Sequence, residues 1–411
     1  MFAKTFNRFK DLSVETKSMI FIFWVYEFVQ VIAQVFLNIY VFLQTNDLGA
    51  LVWYNVVFFL GVFFGFCVWG YLVAQKQISM KFNYVKSFVL YFISFIWLLF
   101  MPKEFVFLLG FALLNGSALG MFWLGVHTFE MIFTNEKNRD FYSSMISVGT
   151  QVLKIVAPAF ATALFFISEK VLNLETFELL FWALPFFYLL ALPFLFKLPD
   201  FVPARIEKKE IKQLFMDKRL KVPREYTFWS GFDWPIISII MPIISLAVLK
   251  NVINIGVFEA VVGILSIFMV IFLSHRRHAG NRVRILWFAI AWILIGVLCL
   301  TQFDKSIYFY FAYSLIFVFF MPIFRVSQHV LDLHSVEAFK HENPHFYPGL
   351  LYRDAILTFV RLLIASFLGF LYWKTQDEML VIYCACLCLV ITKIVMGIKA
   401  SQMVKSTCEV L

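Results

Sequence analysis

The chain has 411 residues, of which 62% are hydrophobic and 20% aromatic, while 15% carry a charge. Soluble domains contain roughly 45–50% apolar and about 25% charged residues, so this composition excludes both a soluble protein and a disordered chain. The apolar residues form unbroken runs of about 20 instead of alternating with polar ones, which excludes a membrane β-barrel. The net charge of +9 does not indicate a nucleic-acid partner, because its distribution follows membrane topology.

Twelve runs are long enough to cross a bilayer as helices, which need roughly 20 residues each. Their approximate bounds are 18–43, 51–74, 84–101, 105–133, 142–167, 178–197, 227–249, 252–274, 284–302, 307–331, 349–373 and 379–398. The longest connection follows the sixth run. It predicts two bundles of six helices, residues 1–198 and 227–411, joined by a linker at 199–226.

The basic residues of the connections lie mainly on one side of the predicted membrane. Counting Lys and Arg by connection gives 26 on the side of the N-terminus and five on the other. By the positive-inside rule, both termini and the linker are cytoplasmic, and the protein is a multi-pass protein of the inner or plasma membrane.

The two halves repeat polar patterns that a membrane span would otherwise avoid. Each pattern places a charged or imidazole side chain at a similar position in spans that are six apart. The pairs are Tyr26-Glu27-Phe28 with Phe232-Asp233-Trp234, Trp123/His127/Glu130 with Arg325/His329/Asp332, and Lys154 with Arg361. The repetition predicts a pseudo-twofold relation between the halves.

Three short motifs carry a family resemblance: residues 36–40 (FLNIY), residues 122–125 (FWLG) and Asn138-Arg139. With them, the chain resembles the major facilitator superfamily and, within it, the YqgE-like group. The resemblance implies an all-α membrane protein with 12 transmembrane helices in two pseudo-symmetric six-helix bundles. It also implies a rocking-bundle secondary transporter with a central site between the halves, without implying a substrate.

The superfamily signature after span 2 is altered in this chain. Ala74 stands where an Asp is expected and Gln77 where a Gly is expected. The gating contact usually made by that Asp is therefore not expected here, and Glu130, Asp332 and Arg139 become the candidate gating residues.

Span 1 carries a polar stripe at spacings of three, four and four: Glu27, Gln30, Gln34 and Asn38. These residues share one helical face. A charge at the bilayer centre costs at least about 2.5–3.5 kcal/mol, so the stripe predicts a polar cavity that binds substrate. The alternative is a hydrogen-bonded seam between helices. Gly61-x-x-x-Gly65 and Gly116-x-x-x-Gly120 predict close helix approach.

Lys154 and Arg361 are predicted near the midplane, one in each half. Together they could clamp an anionic substrate, with Arg325 reaching the cavity from below. The alternative is that internal carboxylates such as Glu27 and Asp233 neutralise them. Lys393 is expected to extend to the membrane interface, and Glu259 is expected to be solvated.

Proton coupling requires a group whose proton affinity depends on the side to which the cavity opens. The carboxyls of Glu27 and Asp233 fit this requirement, because burial and neighbouring charges change how tightly they hold a proton. The imidazoles of His127 and His329 are rivals, since they titrate near neutral pH. Alternatively, each histidine pairs with the acidic residue three positions later in an interfacial network.

Other classes of protein lack support in the sequence. No G-x-x-x-x-G-K-[ST] phosphate loop occurs, and no nucleophile with a base is evident, so no enzyme, metal site or cofactor is expected. The sequence predicts a monomeric secondary active transporter, coupled to protons or another ion, for a small solute, with an anionic one favoured. The alternatives are an efflux transporter for drugs or lipophilic cations and a non-transporting sensor on the same scaffold.

Overall fold

The computed structural model describes residues 9–10, 12–134, 139–274, 282–340 and 346–408, and these residues form helices without any β-strand. The membrane helices follow the order of the predicted spans and are labelled accordingly. They are α1 Val14–Thr45, α2 Leu48–Gln75, α3 Met80–Phe100, α4 Phe105–Phe133, α5 Arg139–Lys170, α6 Glu178–Leu195, α7 Lys218–Leu249, α8 Val252–Ser274, α9 Arg282–Leu300, α10 Ile307–Lys340, α11 Tyr347–Thr375 and α12 Glu378–Cys408.

Among the described residues, eleven helices are long and apolar enough to cross a membrane. The remaining one, α8, is 23 residues long, and its part Val252–Ser266 is apolar but shorter than a full crossing. Several helices extend beyond the predicted spans, such as α10, which continues to Lys340. Hydropathy does not find such ends because they are polar and leave the apolar layer.

Tight turns with polar caps connect the helices. Ser13 accepts a hydrogen bond from the backbone N–H of Thr16 (3.1 Å) and begins α1. Asn46 ends α1 with a φ of 48°, and Asp47 at once caps α2 by accepting from two backbone N–H groups. Capping side chains satisfy the unpaired groups of helix ends, so two residues are enough to reverse the chain here.

Three of the described membrane helices are irregular where the sequence predicts unbroken spans. The α6 helix is interrupted by a turn at residues 190–191. The α2 helix contains a π-helical segment at Phe64–Val68. The α7 helix consists of Lys221–Ser230 and Asp233–Leu249, separated by a turn that includes Gly231. An added Cβ at Gly231 would lie 2.9 Å from Cβ of Val360 on α11, so the absence of a side chain lets α7 approach that helix.

The predicted glycine motifs of α2 and α4 face each other. An added Cβ at Gly65 would overlap the backbone oxygen of Ser117, and one at Gly116 would overlap the backbone oxygen of Phe58. The prediction of close approach is therefore confirmed, with the two backbones in direct contact. Beside them, the Tyr26 ring of α1 stacks on Phe122 of α4 with centroids 3.6 Å apart.

Contacts between the first six and the last six helices obey a pseudo-twofold pattern. The α2 helix packs on α11, where the Tyr347 hydroxyl donates to the Gly70 carbonyl (3.0 Å). The α5 helix packs on α8, where Ser266 Oγ donates to Gln151 Oε1 (2.5 Å). Exchanging each helix with the one six places away converts the first contact into the second. The α1–α7 contact is converted into itself.

The linker is attached to the turn between α2 and α3. Gln77 lies where the resemblance described above predicts a glycine, and its φ is 54°. Its side chain donates to the carbonyl oxygens of Ala74 (2.6 Å) and Pro203 (3.0 Å). Four further hydrogen bonds join the same turn to residues 196–206: Gln75 to Ile206 O, Ser79 to Asp200, the Met80 N–H to Phe201 O, and Lys81 to Phe196 O.

The second part of the linker is attached to the last helices. A short helix, Lys208–Met216, precedes α7, and its Phe215 ring packs edge-on against Tyr352 of α11 at 4.6 Å between centroids. Glu225, at the start of α7, forms an ion pair with Lys399 of α12 (2.6 Å). The linker thus contacts both halves through different segments.

Candidate functional site

A pocket lined by carboxamides lies between α1, α2, α4 and α7 and has a volume of about 40 Å³. Gln30 and Gln34 of the predicted stripe line it, with Gln30 buried and Gln34 exposed. Within the described part of the chain, its lining carries no acidic or basic side chain. Five carboxamides contribute to it: Gln30, Gln34, Asn38, Asn55 and Asn115.

Asn38 lines the pocket and also joins three helices. Its Nδ2 donates to the carbonyl oxygen of Ser238 on α7 (2.6 Å), while its Oδ1 accepts from Nδ2 of Asn55 on α2 (3.2 Å). The polar stripe of α1 therefore faces a pocket at Gln30 and Gln34 and a hydrogen-bonded seam at Asn38. A pocket and a seam therefore both occur along the stripe, and binding of substrate there stays a prediction.

Four charged side chains, two from each half, are close enough to influence one another electrostatically, although no ion pair joins them among the described interactions. Glu27 of α1 interacts electrostatically with Lys154 of α5 and Arg325 of α10, and Lys154 also interacts with Glu259 of α8. Glu27, Lys154 and Glu259 are half-buried, whereas Arg325 is exposed. Charged groups inside a membrane protein require partners or water. The opposite charges of this group compensate one another at a distance, and Glu259 is half-buried instead of fully exposed.

Asp233 of α7 and Lys393 of α12 form a buried ion pair. Lys393 has 1% of its surface exposed, and its ammonium group lies 3.7 Å from the centroid of the Phe324 ring. The expectation that Lys393 extends to the membrane interface is therefore wrong. Its side chain points into the bundle because Asp233 and Phe324 provide a better site for the charge than the lipid does.

Arg361 of α11 stacks on the indole ring of Trp234, with its guanidinium carbon 4.7 Å from the ring centroid. Trp234 is itself part of the pocket lining. The indole is held edge-on by Phe59 (5.3 Å) and Phe58 (6.0 Å) of α2. The pocket thus has an aromatic wall with a cation behind it.

The predicted clamp residues have different neighbours. Lys154 lies among Glu27, Glu259 and Arg325, while Arg361 lies against Trp234. The structure shows no contact between the two cations among the described interactions. Joint binding of one anion by both therefore stays a prediction.

The predicted histidine group of α4 forms a compact unit. The His127 ring stacks on Trp123 with centroids 5.2 Å apart, and its Nδ1 lies 3.7 Å from Oε2 of the buried Glu130. The equivalent residues of α10, His329 and Asp332, have side chains outside the described part of the structure, and so does Arg139 of α5. Their proposed coupling and gating roles stay predictions.

Sequence analysis missed Glu259 and Lys393 as members of charge groups. The signal was present, because both are ionisable residues within apolar runs. That signal is weak because each residue lies toward the end of its apolar run. In the structure, the partners of both residues come from other helices, so the position within the residue's own helix gave no information about them.

A bundle of apolar helices with a carboxamide-lined pocket and charged side chains between its first and last six helices defines a polytopic membrane transporter, not an enzyme. The chain belongs to the Major Facilitator Superfamily, whose family model matches residues 19–339. No curated protein sequence matches the chain.

Solved transporter structures share the fold. The nucleoside transporter NupG is 12% identical, with a TM-score of 0.63 and coverage of 95% of this chain and 99% of that chain. The POT family transporter PepTSo is 11% identical, with a TM-score of 0.65 and coverage of 95% and 98%. A bacterial homologue of the human lysosomal transporter Spinster is 12% identical, with a TM-score of 0.58 and coverage of 95% and 96%.

Proposed function

We propose that the protein is a proton-coupled secondary active transporter that moves a small anionic solute by alternating access. The solute binds in the pocket between α1, α2, α4 and α7, where Gln30, Gln34 and Asn38 supply hydrogen bonds. Arg361 supplies the positive charge from behind Trp234.

The observation that carries this proposal is the stacking of Arg361 on a wall of the pocket. Trp234 contacts both the pocket and the guanidinium group, which lies 4.7 Å from the ring centroid. Positive charge next to a lining that has carboxamides but no described carboxylate attracts anions more than cations. Carboxamides then recognise the solute, since each offers both a donor and an acceptor.

The charge balance of the four charged side chains between the halves supports proton coupling. Lys154 and Arg325 carry two positive charges, and Glu27 and Glu259 carry two negative ones when ionised. Protonation of one carboxylate leaves the cluster with a net positive charge. An anionic solute in the neighbouring pocket compensates that charge, so a proton and an anion bind together more favourably than either alone.

The test is a thermal-shift screen of the purified protein in detergent with anionic, cationic, neutral polar and lipophilic solutes. A solute that binds the folded state raises its apparent stability by RT ln(1 + [L]/Kd), whichever direction transport takes. The variant is Arg361→Gln. Its matched control is Arg353→Gln, which removes an arginine nearer the start of the same helix.

We expect anions to stabilise the wild type and Arg353→Gln, but not Arg361→Gln. The next measurement is uptake of those anions into proteoliposomes, and we expect an imposed pH gradient to drive it. Stabilisation of all three proteins by cations or lipophilic solutes would overturn the anion assignment and favour efflux of lipophilic cations.

Finer features of the prediction belong to the same proposal. We propose that the protein is a monomer of the inner or plasma membrane with both termini cytoplasmic, and that it belongs to the YqgE-like group of the superfamily. Glu27 and Asp233 stay candidate proton carriers, with His127 and His329 as rivals, and Glu130, Asp332 and Arg139 stay candidate gating residues. Size-exclusion chromatography with light scattering checks the oligomeric state.

A further inference from the structure

One face of α11 lies against α2, across the boundary between the first and the last six helices. At the end where α11 begins, the Tyr347 hydroxyl donates to the Gly70 carbonyl, and a Cβ added at Gly70 would lie 2.6 Å from a methyl group of Leu351. Toward the other end, a Cβ added at Gly369 would lie 3.0 Å from a methyl group of Val52. The two helices are therefore in contact along most of their length.

Asp354 belongs to this face of α11. It lies three residues after Leu351, a spacing that places two residues on the same side of a helix. The Cys67 thiol, in the π-helical segment of α2, donates to the Leu351 carbonyl oxygen (3.9 Å). Asp354 is therefore within about one helical turn of a contact between the two halves.

The carboxylate of Asp354 is buried without a partner. The residue has 6% of its surface exposed, and its Oδ2 has no hydrogen-bond partner among the described residues. The ion pairs of the described residues do not include it. Thr358, one turn further, is completely buried, and its hydroxyl also lacks a described partner, so it does not solvate the carboxylate. The buried Asp233 differs, because it is paired with Lys393.

The titratable groups of α2 and α11 do not contact this carboxylate in the described structure. Arg361 lies seven residues further, about 10 Å along the helix axis, and its guanidinium group lies over Trp234. Arg353 precedes Asp354 and is directed about 100° away around the helix. The Cys67 thiol experiences the charges of both Asp354 and Arg361, but it carries no positive charge of its own.

The charged groups of the other elements that pack on α11 are engaged elsewhere or exposed. They are Arg224 with the Leu214 carbonyl oxygen, Glu225 with Lys399, Asp233 with Lys393, His127 beside Glu130, Arg325 in the charged group around Glu27, and the exposed Lys209 and Lys212 of the linker helix. Among the described residues, the charge of Asp354 therefore has no partner from another helix.

This arrangement places two opposing effects on the contact between α2 and α11. Separation of the helices at the end where α11 begins admits water to Asp354, and hydration of a buried carboxylate is strongly favourable. The same separation breaks the hydrogen bond of Tyr347 to Gly70 and the contact of Cys67 with Leu351. The buried charge therefore favours the open contact, while these bonds favour the closed one.

We propose that Asp354 and Tyr347 are gating residues with opposite effects. The buried charge of Asp354 favours separation of α2 and α11, and the hydrogen bond of Tyr347 holds them together. This inference rests on the proposed function, because alternating access requires such a contact to open, and it adds two residues to that function. When the two effects nearly balance, a modest difference in the affinity of the two states for a solute is enough to change their populations.

The test measures the conformational equilibrium without any solute, at one neutral pH. Nitroxide labels at Lys76→Cys, at the end of α2, and Gln402→Cys, near the end of α12, report the distance between the halves. Both positions are exposed. The labels are placed in full-length protein whose native cysteines have been replaced. Pulsed electron spin resonance in lipid vesicles then records the distribution of distances.

The variants change one effect at a time. Asp354→Asn removes the charge and keeps the shape of the side chain, whereas Tyr347→Phe removes the hydroxyl that bonds to Gly70. The double variant carries both changes. Asp304→Asn is the matched control, because it removes an exposed carboxylate between α9 and α10.

We expect Asp354→Asn to raise the ratio of short to long distances by about tenfold, since an unpaired buried charge costs at least as much as an unpaired hydrogen-bonding group. Tyr347→Phe should lower this ratio by about fivefold, because it leaves the Gly70 carbonyl without its donor. The double variant should lie between the two, and Asp304→Asn should match the wild type.

An Asp354→Asn variant whose distances stay unchanged or become longer overturns the inference, and so does a Tyr347→Phe variant whose distances become shorter. Because the experiment contains neither solute nor pH gradient, failure of the anion or proton assignment does not affect it. Those assignments fail in the thermal-shift screen and the uptake measurement instead.

Discussion

Asp233 and Lys393 are 160 residues apart in sequence and meet in the interior of the bundle. Desolvation of two charges is costly, and their attraction offsets this cost only when both are present. The pair also joins α7 to α12 next to the aromatic wall of the pocket. Loss of one partner is therefore costly, whereas the intact pair adds little net stability.

We expect Lys393→Met to destabilise the protein by about 3–5 kcal/mol, because Asp233 is left buried without its partner. The double variant Asp233→Asn with Lys393→Met should recover most of this loss, since no uncompensated charge remains. Thermal unfolding of the purified proteins measures both effects.

Lys399→Met is the matched control, because Lys399 pairs with Glu225 at a partly exposed site where ion pairs contribute little. Equal destabilisation by the two single variants would show that the burial of Lys393 is not the cause.

The sequence shows which polar and charged residues lie within apolar spans, but not which residues of other helices they contact. The spacing of Gln30 and Gln34 places them on one face of α1, and the structure places both at one pocket. For Glu259 and Lys393, the deciding fact is the partner on another helix. That fact depends on how the helices pack, and helical spacing contains no information about it.

At the scale of helices, α2 and α4 pack with their backbones in direct contact, because the glycines at their interface have no side chains. The π-helical segment Phe64–Val68 begins in this contact, immediately before Gly65. The glycine spacing predicted this contact from the sequence. Hydropathy and glycine spacing do not indicate the π-helical segment, which lies at the same contact.

We expect Gly116→Ala to destabilise the protein by about 1–3 kcal/mol, the usual cost of overpacking. The new methyl group would overlap the backbone oxygen of Phe58, which cannot move without displacing α2. The shift of the thermal unfolding midpoint provides the measurement.

Gly296→Ala on α9 serves as the control, because its added Cβ would lie 3.2 Å from a methyl group of Ile316, a side-chain atom that can adjust. A loss of stability in Gly296→Ala as large as in Gly116→Ala would contradict backbone contact as the cause.

At the scale of the whole molecule, the charge bias of the connections predicts the orientation in the membrane. In a cysteine-free background, Lys209→Cys in the linker should resist a membrane-impermeant maleimide added to intact cells, whereas Asp304→Cys should react. Both positions are exposed, so accessibility within the fold does not decide the result. Labelling of Lys209→Cys alone would reverse the orientation.

The two attachments of the linker have a consequence for how the chain can be divided. Residues 196–206 are bonded to the α2–α3 turn, and the segment from Lys208 onward contacts α11 and α12. A break between Ile206 and Glu207 separates these attachments without removing either, and Glu207 still caps its helix. Fragments 1–206 and 207–411, produced together, should therefore reassemble and co-purify. Fragments 1–198 and 199–411 should do so less well. In that division, most of the residues that bond to the α2–α3 turn belong to the second fragment, whereas the turn itself belongs to the first.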